Sequence, residues 1–138
     1  MNEQRIAIIT DSGTDVPRAY ASEHDVRVVP LRINYSDGSS FQSGVDITSE
    51  EVARRFEQEI PKTSLPSPQQ VLAALEGAKA DGYVAAVVVT ISAGLSATNQ
   101  TCRLVAGQME DFPVTVVDSK SIGMMAGMVV RRAVELVE

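Results

Sequence analysis

Val84-Ala85-Ala86-Val87-Val88-Val89-Thr90-Ile91-Ser92-Ala93-Gly94-Leu95-Ser96-Ala97-Thr98 is the stretch whose reading decides the fold. It opens with the most apolar run in the chain, as expected of a strand covered on both faces of a parallel sheet. A short loop of serine, glycine and alanine follows, and residues 98–108 then read as a helix. A buried strand feeding a helix through such a loop places backbone N–H groups and hydroxyls at the carboxyl edge of the sheet. Open α/β folds bind their ligands at that edge. The loop is therefore the first candidate for a site.

The flanking sequence repeats the strand-to-helix rhythm. Arg5-Ile6-Ala7-Ile8-Ile9-Thr10 reads as a first buried strand, ended by the polar turn Asp11-Ser12-Gly13-Thr14-Asp15. Asp15-Val16-Pro17 has the form of an N-cap with proline in the first turn, which predicts a short helix over 16–23. Val26 to Tyr35 is extended, with Pro30 marking an edge or a bulge. Ser36-Asp37-Gly38-Ser39 then predicts a small hairpin pairing residues 33–35 with 40–42. Thr48-Ser49-Glu50-Glu51 is a capping box with Ile47 and Val52 as its staple, opening a helix to about residue 59. Pro61 to Pro68 holds three prolines in eight residues and is stiff and extended.

A second capping box, Ser67-Pro68-Gln69-Gln70, opens a helix whose apolar positions Val71, Leu72, Leu75 and Ala78 follow the helical period, and Gly82 ends it. Beyond the opening stretch, a helix presents Leu104, Val105 and Met109. Pro113 to Asp118 reads as a last strand, Ser119-Lys120-Ser121 as another corner, and Ile122 to Glu138 as helix without a stop signal. An apolar helix reaching the last residue is expected to continue into something further. The expected fold is α/β: a three-layer sandwich with a mainly parallel sheet of about four strands plus a small β-hairpin. Residues 1–138 are the length of one domain.

Composition narrows the chemistry. The net charge of −6 argues against nucleic acid as a partner, since phosphate neutralisation needs a basic surface. No apolar run reaches the ~18 residues of an integral membrane segment, and the N-terminus lacks a signal-peptide pattern, so the expected location is cytoplasmic. One cysteine, Cys102, fits a reducing compartment and reads as a helix-face residue. It is no nucleophile on this reading, because the single histidine, His24, lies far off in sequence.

Neither G-x-x-x-x-G-K-[ST] nor G-x-G-x-x-G after the first strand is present, which removes the main support for a nucleotide site. Asp11 ends a strand as in aspartyl-phosphate phosphatases, yet position 13 is glycine where those enzymes need a second carboxylate. Ser92 and Ser96 lack the G-x-S-x-G setting of a serine hydrolase. No zinc-ligand spacing occurs, so no metal is expected, and Asp11, Asp15 and Asp118 read as caps and turn formers. By itself Ser96 reads as a helix cap and Thr63 as a loop residue.

Six motifs taken in order resemble the DegV family of bacterial fatty-acid-binding proteins, which includes the FakB-like lipid-carrying subunits of fatty acid kinase. They are Ile9 to Asp15, Val29-Pro30-Leu31, Gly44-Val45-Asp46-Ile47-Thr48, Pro61 to Pro68, Ile91 to Thr98 and Val117-Asp118-Ser119-Lys120. The resemblance implies a non-catalytic subunit that encloses one long-chain fatty acid and offers its carboxylate to the catalytic subunit of a fatty acid kinase. It implies no cofactor beyond the bound fatty acid.

In that family the carboxylate is held by the threonine of the Pro-Lys-Thr-Ser loop and a serine of the Ser-x-Gly-Leu-Ser loop. Those residues match Thr63 and Ser96, with Ser92 the second candidate. Unpaired N–H groups at the start of the helix after Leu95 would add to the clamp without any net positive charge. Ile91, Met124, Met125 and Met128 are the candidates for an acyl-chain wall, because thioethers repack easily. The family is about twice this length, so this chain corresponds to its N-terminal domain, the half carrying the carboxylate loops, and is expected to bind lipid weakly alone. The competing reading is an isolated protein-interaction module, or a homodimer joined through apolar surface, with no lipid. A small-molecule enzyme using Asp11 or Asp118 is the third reading.

Overall fold

A computed structural model describes residues 1–138. β1 (Ile6–Asp11) leads through a single 3-10 turn (Ser12–Thr14) to α1 (Arg18–Glu23) and β2 (Arg27–Val29). β3 (Arg32–Asn34), β4 (Ser40–Gln42), α2 (Ser49–Arg55) and β5 (Lys62–Ser64) follow. The chain then alternates regularly: α3 (Pro68–Ala80), β6 (Ala85–Thr90), α4 (Thr98–Ala106), β7 (Val114–Asp118) and α5 (Met124–Val137).

The main sheet has the order β2-β1-β6-β7 and is parallel throughout, with Ile8 opposite Val87 and Val88 opposite Val116. Its strands carry apolar residues on both faces, which requires helices on both faces. Ala7 and Ile9 of β1, with Ala86 and Val88 of β6, pack under Val71 and Leu75 of α3 and Cys102 and Val105 of α4. Ile8 and Val89 point the other way, against Ala21 of α1 and Val130 and Val134 of α5. The result is the three-layer α/β sandwich expected from the sequence.

Connections run outward from β1 to β2 on one side and from β6 to β7 on the other. The direction of the connections therefore reverses between β1 and β6, the switch point beyond whose carboxyl ends open α/β sheets bind their ligands. The loops after β1, β6 and β7 meet there.

The local signals behave unevenly. Ser67 caps α3 in a complete capping box, and Thr48 accepts from the Glu51 N–H at the start of α2. Ile47 and Val52 meet as the expected staple in a small core with Ile33 and Tyr35. Asp15, however, is not the cap of α1: it sits at φ +50° and closes the 3-10 turn, while Pro17 precedes the helix without a side-chain bond. The extended run Val26 to Tyr35 divides at Pro30, whose missing N–H suits a changeover between sheets. The hairpin is also larger than expected. Ile33 pairs with Phe41 on one side and with Thr63 on the other, so part of the proline-stiffened stretch is a third strand, β5. α2 and α4 stop earlier than expected, and Leu104 is 67% exposed.

Candidate functional site

The loop between β6 and α4 is held at each of its first three residues. Ile91 donates its N–H to Asp11 Oδ2 at 2.9 Å. Ser92 N–H goes to the Ser121 carbonyl at 2.8 Å, and Ala93 N–H to Asp118 Oδ1 at 3.2 Å. The three strand ends at the switch point are thus tied together by two carboxylates and one carbonyl. Asp11 is 2% exposed, and its other oxygen accepts the Gly13 N–H at 2.8 Å. Burial raises its pKa above the ordinary carboxylate value, and the N–H bonds from Ile91 and Gly13 pull against that rise. Both aspartates act as turn and loop holders.

The 3-10 turn after β1 is a junction for the same corner. Ser12 Oγ accepts from the Leu31 N–H, and the Gly13 carbonyl accepts from the Gly123 N–H. α5 crosses so close that a Cβ on Gly127 would lie 2.6 Å from the Thr14 carbonyl oxygen. Only glycine permits that approach.

Inside the loop, Ser92 accepts from Gly94, Leu95 and Ser96 N–H groups through its hydroxyl and carbonyl. The N–H groups from Ile91 to Ser96 are consequently all spent within the protein. The open ones begin further on. Ala97 at the N-cap of α4 supplies no side-chain bond, and the Asn99 and Gln100 N–H groups have no intramolecular acceptor. Ser96 Oγ accepts the Thr98 N–H at 3.2 Å and lies 2.8 Å from Thr98 Oγ1. Beneath the loop, Asn99 donates from Nδ2 to Thr90 Oγ1 and accepts from Arg103, which also reaches the Val116 carbonyl. Thr90 and Asn99 are buried, so this network fixes α4 against β6 and β7.

Beside these donors the surface is apolar. Leu95 is 63% exposed, Met124 80%, Met125 72% and Met128 69%. The bond from Ser92 to Ser121 brings the loop carrying Leu95 against the one leading to the methionines. Ile122, half-exposed between them, was not among the residues singled out from the sequence. Ile91 is placed differently from the methionines: it is buried, with its Cγ2 packed over Gly13.

Thr63 is exposed on β5, opposite Ile33. No hydrogen bond joins it to Ser96, and neither Thr63 nor Ser92, Leu95 or Ser96 lines any of five cavities of about 270 to 620 Å3. The Ser92 to Ser121 bond thus brings the loop of Ser92, Leu95 and Ser96 against the loop that precedes α5, and Thr63 stands on the small sheet. Cys102 is buried on the core-facing side of α4, and burial together with the charge of Asp11 pushes its thiol pKa up to about 12, which keeps it protonated and inert. No helix is long and apolar enough to cross a membrane.

Comparisons with known proteins agree on one family. The family model described as "Uncharacterised protein, DegV family" matches residues 5–138. A DegV domain-containing protein of Clostridium acetobutylicum is 35% identical over 134 residues, covering 97% of this chain and 47% of that protein. One from Staphylococcus aureus is 39% identical over 132 residues, covering 95% and 46%. Among solved structures, a DegV family protein from Thermus thermophilus described for its fatty acid binding superposes with TM-score 0.85 at 33% identity, over 99% of this chain and 47% of that one. A stearic acid-binding protein from Eubacterium ventriosum gives 0.85 at 28% identity, over 95% and 47%. The chain spans about half the length of the relatives it matches. Matched along nearly its whole length, with the switch-point corner built from the same motifs that carried the resemblance, the chain belongs to the DegV family.

Proposed function

We propose that this chain supplies the carboxylate-binding corner and one apolar wall of a long-chain fatty-acid site. The observation that carries the proposal is the junction of two surfaces: the hydroxyls and open N–H groups at Ser92, Ser96 and the start of α4, and the exposed side chains of Leu95, Ile122, Met124, Met125 and Met128. One end accepts a carboxylate without a cationic side chain, and the other suits an alkyl chain. The fatty acid binding of solved family members supports the same reading. Thr63 would contribute a second hydroxyl from the small sheet. The bound acid would be presented, carboxylate first, to the catalytic subunit of a fatty acid kinase, and this chain would donate no catalytic group.

The test is an NMR titration of methionine-methyl-labelled, 15N-labelled chain with palmitate below its aggregation concentration. The expected result is shifts confined to amides 92–100 and the methyls of Met124, Met125 and Met128, weakened about tenfold in Ser96→Ala by loss of a charge-assisted hydrogen bond. Shifts elsewhere, or none, would overturn the proposal. Concentration-dependent dimers without lipid-induced shifts would favour the protein-interaction reading instead.

A further inference from the structure

We infer that Thr98 is a positioning residue that fixes the direction of the Ser96 hydroxyl proton and so makes this corner selective for carboxylates over alcohols. The inference rests on the fatty-acid reading of the site but begins from the proton balance of two side chains. Thr98 is fully buried, and its Oγ1 has one polar neighbour within hydrogen-bonding reach, Ser96 Oγ at 2.8 Å. A buried hydroxyl proton with no acceptor is costly, so the Thr98 O–H donates to Ser96. The Thr98 backbone N–H donates to the same oxygen at 3.2 Å.

Ser96 Oγ then has both lone pairs engaged by one residue. Its own proton has no acceptor in the protein and is left for a ligand. In the opposite arrangement, with Ser96 donating to Thr98, the Thr98 proton would be stranded in the interior. The energetic preference is thus set inside the protein before any ligand arrives.

The neighbouring groups point the same way. Ser92 Oγ accepts the Gly94 N–H, which leaves its proton free, and the Asn99 and Gln100 N–H groups are open. The Ser92 and Ser96 hydroxyls and these N–H groups are the unpaired donors of this corner. A carboxylate, which only accepts, satisfies them together. A hydroxyl of the same chain length is uncharged and has a single oxygen, so it takes up fewer of these donors and more weakly, and the corner would discriminate against it.

The test compares octanoate with 1-octanol, both followed by the methionine-methyl shifts, in the natural chain, Thr98→Val and Thr98→Ser. Valine keeps the shape and removes the O–H, whereas serine keeps the O–H. Thr98→Val should weaken octanoate binding about fivefold to tenfold with little effect on 1-octanol, and Thr98→Ser should restore the ratio. An unchanged ratio in Thr98→Val, or no rescue by serine, would overturn the inference. A ligand-free measurement separates it from the fatty-acid reading. The Thr98 hydroxyl proton should give a slowly exchanging NMR signal with a cross-peak to the Ser96 Hβ protons. With that signal present and neither ligand binding, the fatty-acid reading fails and the proton assignment stands; without it, the inference itself fails.

Discussion

Asp11 illustrates how one buried charge can organise a binding corner and still burden the fold. Its two oxygens take the Gly13 and Ile91 N–H groups, so it joins the turn after β1 to the loop after β6. Burial raises its pKa despite those bonds. A carboxyl whose pKa is higher in the folded than in the unfolded chain binds more protons when folded. Its stabilising contribution is therefore complete below the unfolded value and is lost as pH rises through the folded one. Asp11→Asn lacks this titration. The stability of the natural chain relative to that variant should fall as pH rises above about 4, by at most about 1.4 kcal/mol per pH unit, and level off once the folded-state pKa is passed. Urea midpoints of both proteins across that range provide the check, and a relative stability that rises with pH would contradict the assignment of Asp11 as the desolvated group.

The same contrast between local and distant causes runs through the elements. Ser67 accepts from the Gln70 N–H, and Gln70 reaches back to the Ser67 backbone, so α3 starts where its sequence says it should. Ser67→Ala should cost about 1 kcal/mol of unfolding free energy, read by denaturant titration, while leaving the lipid-titration shifts at residues 92–100 in place. Capping boxes are legible because their partners lie three residues apart. The same holds for β1 and β6, whose apolar runs need no partner to be read, and for the Ser92 to Ser96 loop that follows β6. Asp15-Val16-Pro17 has the composition of a cap, but Asp15 serves the preceding turn with φ +50°, a role that tertiary placement of that turn decides. β5 was legible only as stiff backbone, since its strand character comes from Ile33, thirty positions earlier. Ala93 and Asp118 are likewise joined across a separation of 25 residues, so no local pattern announces that Asp118 holds the site loop. Gly127 has the same limit: the Thr14 carbonyl that demands a glycine belongs to another layer of the fold.

At the scale of the whole molecule, the exposed apolar side chains are the feature the fold itself does not require. Met124, Met125 and Met128 are 69–80% exposed at the start of α5, whose opposite face supplies Ala126, Val130 and Val134 to the core. Side chains so placed contribute little to stability, and under the proposed function they would line, with Leu95 and Ile122, the way out from the Ser96 corner. A fatty acid of about 14 methylenes gains a gross ~11 kcal/mol when fully buried, at about 0.8 kcal/mol each. One wall supplies about half of that, against association costs of about 4–15 kcal/mol. Binding to these 138 residues is therefore expected to be weak, in keeping with a chain that spans about half the length of its relatives. Stability and binding should accordingly separate in the triple variant Met124→Gln, Met125→Gln, Met128→Gln. Its unfolding free energy should stay within about 0.5 kcal/mol of the natural chain, as for exposed positions generally. Its palmitate-induced amide shifts at residues 92–100 should shrink several-fold at equal ligand concentration. Thermal unfolding and the NMR titration measured on one preparation decide the matter: unaltered lipid shifts would remove the methionines from the acyl-chain wall, and a lower unfolding midpoint would return them to the core.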